Sequence, residues 1–157
     1  VSQPSAGYFV VDAPRTKLFT GFVRGRSFDL GSVKLQLGPT RLDWATVSMV
    51  CIDGQGFDKR GRILIAATGL VQNTGAKLEQ LPGGNVTLSN RWGNEPVLCE
   101  GIPAEITLPL AATRVKFFSL DESGNRRDSS PVAQKDGRAL LTLDPKHATL
   151  WYEVVVE

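Results

Sequence analysis

This chain has little of what most catalytic chemistries require. Its 157 residues include one histidine and two cysteines, and the formal charge is only +2. The lone histidine, His147, sits in a polar stretch beside Lys146 with no nucleophile pattern near it. No Gly-x-Ser-x-Gly elbow occurs, so a Ser–His–acid triad has no support. No Cys-x-x-Cys or histidine cluster offers metal-ligand spacing. Pro82-Gly83-Gly84 lacks the lysine and helix of a phosphate cradle. The eighteen basic residues are spread rather than massed, which argues against nucleic acid, because phosphate neutralisation needs a concentrated basic face. The densest pair, Arg126-Arg127, follows Asp121 and Glu122 and reads as a solvated loop. There is no apolar run of about eighteen residues, the length a membrane-spanning helix needs. Glycoside cleavage needs two facing carboxylates, but Asp53, Asp121, Asp136 and Asp144 lie in turns, where acids serve the backbone. The expectation is a protein that is not an enzyme.

What remains is the composition of a globular β domain. Hydrophobic residues make up 41%, and 157 residues suffice to bury one sizeable core. No signal peptide opens the chain, and residues 1–7 read as a linker, as expected of a module cut from something longer; residues 8–157 read as a single domain. Strand-like segments recur near 8–12, 20–23, 33–36, 44–52, 62–72, 85–89, 97–100, 105–108, 114–120, 139–143 and 149–156. Turn residues separate them, among them Asp53-Gly54, Gly124-Asn125, Asp136-Gly137 and Asp144-Pro145. No sustained helical period is present, although residues 144–148 suit one short helical turn. These features predict an all-β fold, an immunoglobulin-like or jelly-roll-type sandwich of two antiparallel sheets.

The richest segment is Trp44 to Cys51. At a period of two, Ala45, Val47, Met49 and Cys51 share one face, and Trp44, Thr46 and Ser48 the other. Trp44 then stands on the polar side, where burial does not explain it. It reads either as a sugar-stacking residue or as the lip of an ordinary sandwich. Trp92, in the polar loop Asn90-Arg91-Trp92-Gly93-Asn94, reads as a binding residue or as an aromatic folded back over the core. Phe57 tops the turn after Gly54 and is a third candidate. Gln72, Asn90 and Arg91 are candidates for hydrogen bonds to hydroxyls. Tyr8, Phe9, Phe19 and Phe22 read as core, and so does Trp151. The two cysteines, Cys51 and Cys99, are expected to be free with Cys51 buried, a bridge being the alternative in an exported protein.

Several stretches together resemble the accessory β-sandwich domains found C-terminal to catalytic domains in multimodular bacterial glycoside hydrolases. They are Val11 to Thr16, Trp44 to Gly54, Arg62 to Gly69 running into Asn73-Thr74-Gly75, Trp92-Gly93 with Pro96, Glu100 to Ala104, and Leu150 to Glu153. The resemblance implies an immunoglobulin-like sandwich. It implies a secreted or cell-surface bacterial module that binds plant cell-wall polysaccharide, a β-glucan or xylan, for a covalently linked catalytic domain. Some such domains only buttress the catalytic barrel, and that is the alternative it carries. No cofactor, nucleic acid or membrane partner is expected; a structural calcium is left open.

Overall fold

The computed structural model describes residues 2–3, 7–53 and 55–157. Most of the linker expected over residues 1–7, and Gly54 of the expected Asp53-Gly54 turn, lie outside them. The strands are β1 (Ser2–Gln3), β2 (Tyr8–Ala13), β3 (Thr16–Phe22), β4 (Ser27–Leu30), β5 (Val33–Leu37), β6 (Trp44–Cys51) and β7 (Gly61–Thr68). Four strands then depart from the main body: β8 (Val71–Thr74), β9 (Glu79–Gln80), β10 (Val86–Thr87) and β11 (Asn94–Cys99). The chain closes with β12 (Ala104–Leu108), β13 (Val115–Leu120), β14 (Arg126–Ser130), β15 (Ala133–Lys135), β16 (Arg138–Leu143) and β17 (Trp151–Val156).

Two antiparallel sheets form the sandwich. The larger has eight strands in the order β1-β2-β3-β6-β7-β17-β13-β14, and the smaller has five in the order β15-β16-β12-β5-β4. The chain changes sheet after β3, β5, β12, β14 and β16, so both sheets feed one core. Between β7 and β12 it runs out into an arm of two short ladders, β8 with β11 and β9 with β10.

Period-two alternation builds that core. On β6, Ala45, Val47, Met49 and Cys51 point inward and are at most 2% exposed, as the sequence predicts. They join Leu35, Ile106 and Leu141 of the smaller sheet in one apolar cluster. Phe19 of β3 is fully buried, its ring 4.0 Å from that of Phe28 and 6.0 Å from that of Tyr8. Burying a side chain of this size stabilises the fold by about 2–3 kcal/mol.

Several elements differ from expectation, the two-residue β9 among them. Arg126-Arg127 opens an edge strand, β14, not a loop. Its five residues, Arg-Arg-Asp-Ser-Ser, include no apolar side chain, so hydrophobic pattern carries no signal for it. Its only strand partner is β13, with Arg126 paired to Glu153 and Arg127 donating to the His147 carbonyl, and a charged edge suits the end of a sheet. Strands β4 and β15 were likewise absent from the pattern, being only four and three residues long. The short helical turn near Asp144 is present as a 3-10 turn over Pro145–His147, where the Asp144 carboxylate accepts from the Lys146 N–H.

Candidate binding surface

The outer face of the larger sheet can be read row by row from the strand register. In the first row Phe22 of β3 lies opposite Trp44 of β6, their rings edge-on at 5.1 Å. The next row runs Phe9, Thr20, Thr46 and Thr68 across β2, β3, β6 and β7. The Thr20 and Thr46 hydroxyls are hydrogen bonded to each other at 2.7 Å. The third row runs Val11, Leu18, Ser48, Ala66 and Trp151, reaching β17. Trp44 and Trp151 are 41% and 44% exposed. They stand two strands and four residues apart, about 17 Å by regular sheet spacing.

Trp151 therefore corrects the sequence expectation of a core residue. Strand β17 alternates strictly, and Tyr152, Val154 and Val156 fill its inward positions at 2% exposure or less. Trp151 is left on the outside. Phe9 and Phe22 are corrected for the same reason. On β3 the inward positions belong to Lys17, Phe19 and Gly21, which sends Leu18, Thr20 and Phe22 outward. Lys17 faces the sandwich interior because it pairs with the Asp12 carboxylate and lies over the Phe57 ring.

Phe57 is also corrected. It is 2% exposed, with the Lys17 Nζ 5.4 Å from its ring centroid, so the loop after β6 folds back and plugs the core. A buried ring has no face to offer a ligand.

The remaining candidates lie on the arm. Trp92 is 62% exposed, yet its backbone is firmly held. Asn73 Nδ2 donates to the Trp92 carbonyl at 3.1 Å, and Arg91 N–H donates to the Leu88 carbonyl at 2.7 Å. Gly93 follows with φ +71°, and a Cβ there would stand 2.4 Å from the Thr74 carbonyl oxygen, so only glycine fits. Arg91 is paired with Glu79 at 3.1 Å, Asn90 is exposed, and Gln72 lies half-buried opposite Leu98 on β8. Asn90, Arg91 and Trp92 are thus together, with Gln72 in the same arm. Trp44 is on the sheet, apart from them. Glu100 connects the two regions: its carboxylate accepts from Arg41 N–H at 2.8 Å and from Leu70 N–H at 3.1 Å. That clamp ties the loop before Trp44 to the root of the arm.

Further along the same outer face, Glu153 is 7% exposed, between Arg126 and Arg62. Arg126 also lies 4.7 Å over the Phe118 ring. Hydrogen bonds from the Arg62 side chain and backbone hold the Asp53 carboxyl below its usual range. His147 is half-buried, edge-on to Tyr152 at 5.9 Å, and its Nδ1 is buried without a hydrogen-bond partner among the described residues. Both cysteines are free, Cys51 in the core and Cys99 half-buried on the arm. Burial pushes the Cys51 thiol up. Among the described residues no group of three or more His, Cys, Asp or Glu is placed to hold a metal ion, and no helix is long and apolar enough to cross a membrane. Comparison with family models, with curated proteins and with solved structures gave no match.

Proposed function

We propose that this chain is a non-catalytic module that binds polysaccharide and holds an attached hydrolase near its substrate. The observation that carries the reading is the composition of the large sheet's outer face, where Phe22 with Trp44 and Trp151 flank a row of threonines. A pyranose presents apolar C–H faces rimmed by hydroxyls, so a surface of exposed aromatics with hydroxyls between them matches its chemistry. Trp92, presented on its anchored loop, offers a further stacking face, with Asn90 beside it. The ligand class is a neutral plant cell-wall polymer, β-glucan or xylan, and the setting is outside a bacterial cell.

A second reading is favoured by the arm. From Thr68 to Gly101 no residue is buried, while Val71, Leu78, Leu81, Val86, Val97 and Leu98 are between 42% and 61% exposed. So much apolar surface on one excursion is what docking against an attached catalytic domain requires. Affinity electrophoresis of the isolated chain in gels containing soluble β-glucan or xylan separates the two. A polysaccharide-binding module is retarded. A domain that only docks migrates unchanged and self-associates in sedimentation as the concentration rises.

A further inference from the structure

We propose that the outer face of the five-stranded sheet is a second carbohydrate site, a groove that takes a single neutral glycan chain. The inference takes its ligand class from the reading above and places it on the opposite side of the sandwich.

The groove is continuous. One depression of about 480 Å³ lies over the ends of β5, β12 and β16, with Pro103 and Pro145 at its rim. A second of about 310 Å³ shares Gln36 and Glu105 with it and extends to Ser27 of β4. A third of about 300 Å³ shares Thr142 and Asp144 with the first and reaches His147. The strand register explains the polar floor. Thr142, Glu105, Gln36 and Ser27 form one row across β16, β12, β5 and β4, while Thr107 and Lys34 are opposed in the next. Four strands at regular spacing span about 14 Å, several times the width of one sugar ring.

Four of its side chains are uncommitted: Lys34, Glu105, Thr107 and Thr142 make no side-chain hydrogen bond or ion pair among the described residues. The Ser27 hydroxyl donates to the Gln36 side-chain oxygen, and Arg138 donates to the Ser32 carbonyl. The four leave donors and acceptors unspent at the middle of the floor, as a ligand with hydroxyls along its length needs. The lining charges nearly balance, with Lys34, Lys135, Arg138 and Lys146 against Glu105, Asp136 and Asp144. A polyanion would meet three carboxylates beside those four cations, which favours a neutral ligand. An extended peptide is disfavoured because β5, β12 and β16 are each paired on both sides and offer no free edge. The proline rings at the rim supply an apolar surface for a sugar C–H face.

The test uses cellohexaose and xylohexaose as probes. In ¹⁵N–¹H spectra of the intact chain, one of them should shift the amides of Gln36, Glu105 and Thr142. Glu105→Ala combined with Gln36→Ala should weaken that binding about tenfold or more, the scale of losing a hydrogen bond to a charged group. Trp44→Ala should leave hexaose binding in the groove unchanged. If the hexaose shifts only amides around Trp44, or if Trp44→Ala abolishes binding while the groove variant retains it, the groove is refuted and the aromatic face stands. If only the groove variant loses the shifts at Gln36, Glu105 and Thr142, the groove is supported, and shifts at amides around Trp44 report the aromatic face separately. No shift at the groove amides at millimolar hexaose also refutes the groove, as does tighter binding of an anionic oligogalacturonate.

Discussion

Replacing Trp44 by alanine tests the aromatic face most directly. The side chain is 41% exposed, and a tryptophan carries up to about 250 Å² of surface, so about 100 Å² of indole is open to a ligand. Covering half to all of it contributes about 1–2.5 kcal/mol at the usual coefficient for apolar burial. The expected result is a dissociation constant for β-glucan or xylan raised about 5- to 70-fold. The same substitution also removes the covered part of the ring, which rests edge-on against Phe22. That part costs about 1–2 kcal/mol of stability, a fall in Tm of about 2–8 °C. Binding is therefore measured by affinity electrophoresis well below the melting transition, with circular dichroism confirming the native sheet signal. An unchanged dissociation constant in the folded variant would refute sugar stacking at Trp44.

Three further outcomes follow from burial. Phe19→Ala should cost about 3–5 kcal/mol in urea unfolding, whereas Trp151→Ala, despite the larger side chain, should cost about 1–2 kcal/mol; equal costs would contradict an outward Trp151. In the native protein an aromatic disulfide reagent should modify Cys99 and reach Cys51 only on unfolding, so rapid reaction of two thiols in folded protein would be inconsistent with this core. Burial pushes the Tyr152 phenol up to about 12 from its ordinary 10, so its protonated form stabilises the fold fully below pH 10, and that contribution is lost as pH rises towards 12. Thermal melts should fall across that window, and absorbance at 295 nm should show the last tyrosinate appearing only near pH 12 or with unfolding.

Much of the sandwich was legible because most of its strands are half-buried and alternate. The inward set of β6 and the strands β12, β13, β16 and β17 can be read straight from the residue pattern. The misplacement of Trp151 comes from judging a residue by its bulk instead of its parity. Trp151 looked like core because it is large, although Tyr152, Val154 and Val156 already mark the inward positions of that strand. Parity fails on β3, where an inward lysine breaks the pattern, and Asp12 opposite it on the hairpin together with the distant Phe57 explains it. No local signal marks the burial of Phe57, because its cover comes from a different strand. The groove was invisible for a related reason. Gln36, Glu105 and Thr142 are ordinary outward residues of three strands, and only sheet order brings them into one row.

The two outer faces obey the same alternation and differ in what it exposes. On β5, β12 and β16 the outward residues include Lys34, Gln36, Glu105 and Thr142, a polar set that suits water and the hydroxyls of a glycan alike. On β3, β6 and β17 they include Leu18, Phe22, Trp44, Val50 and Trp151, which water does not select. A scaffold with solvent on both sides would carry the first composition twice, so the apolar face calls for something to cover it. That cover approaches the face, because at the β14 end Arg126, Arg127 and Asp128 make a charged edge that discourages strand addition. A docked protein would have to satisfy the row of threonine hydroxyls with its own buried polar groups, whereas a glycan brings hydroxyls with it. The arm has aliphatic side chains and no comparable row, which suits a protein neighbour. On the proposed reading the sheet faces and Trp92 serve sugar, and the aliphatic surface of the arm serves the domain to which this chain is attached.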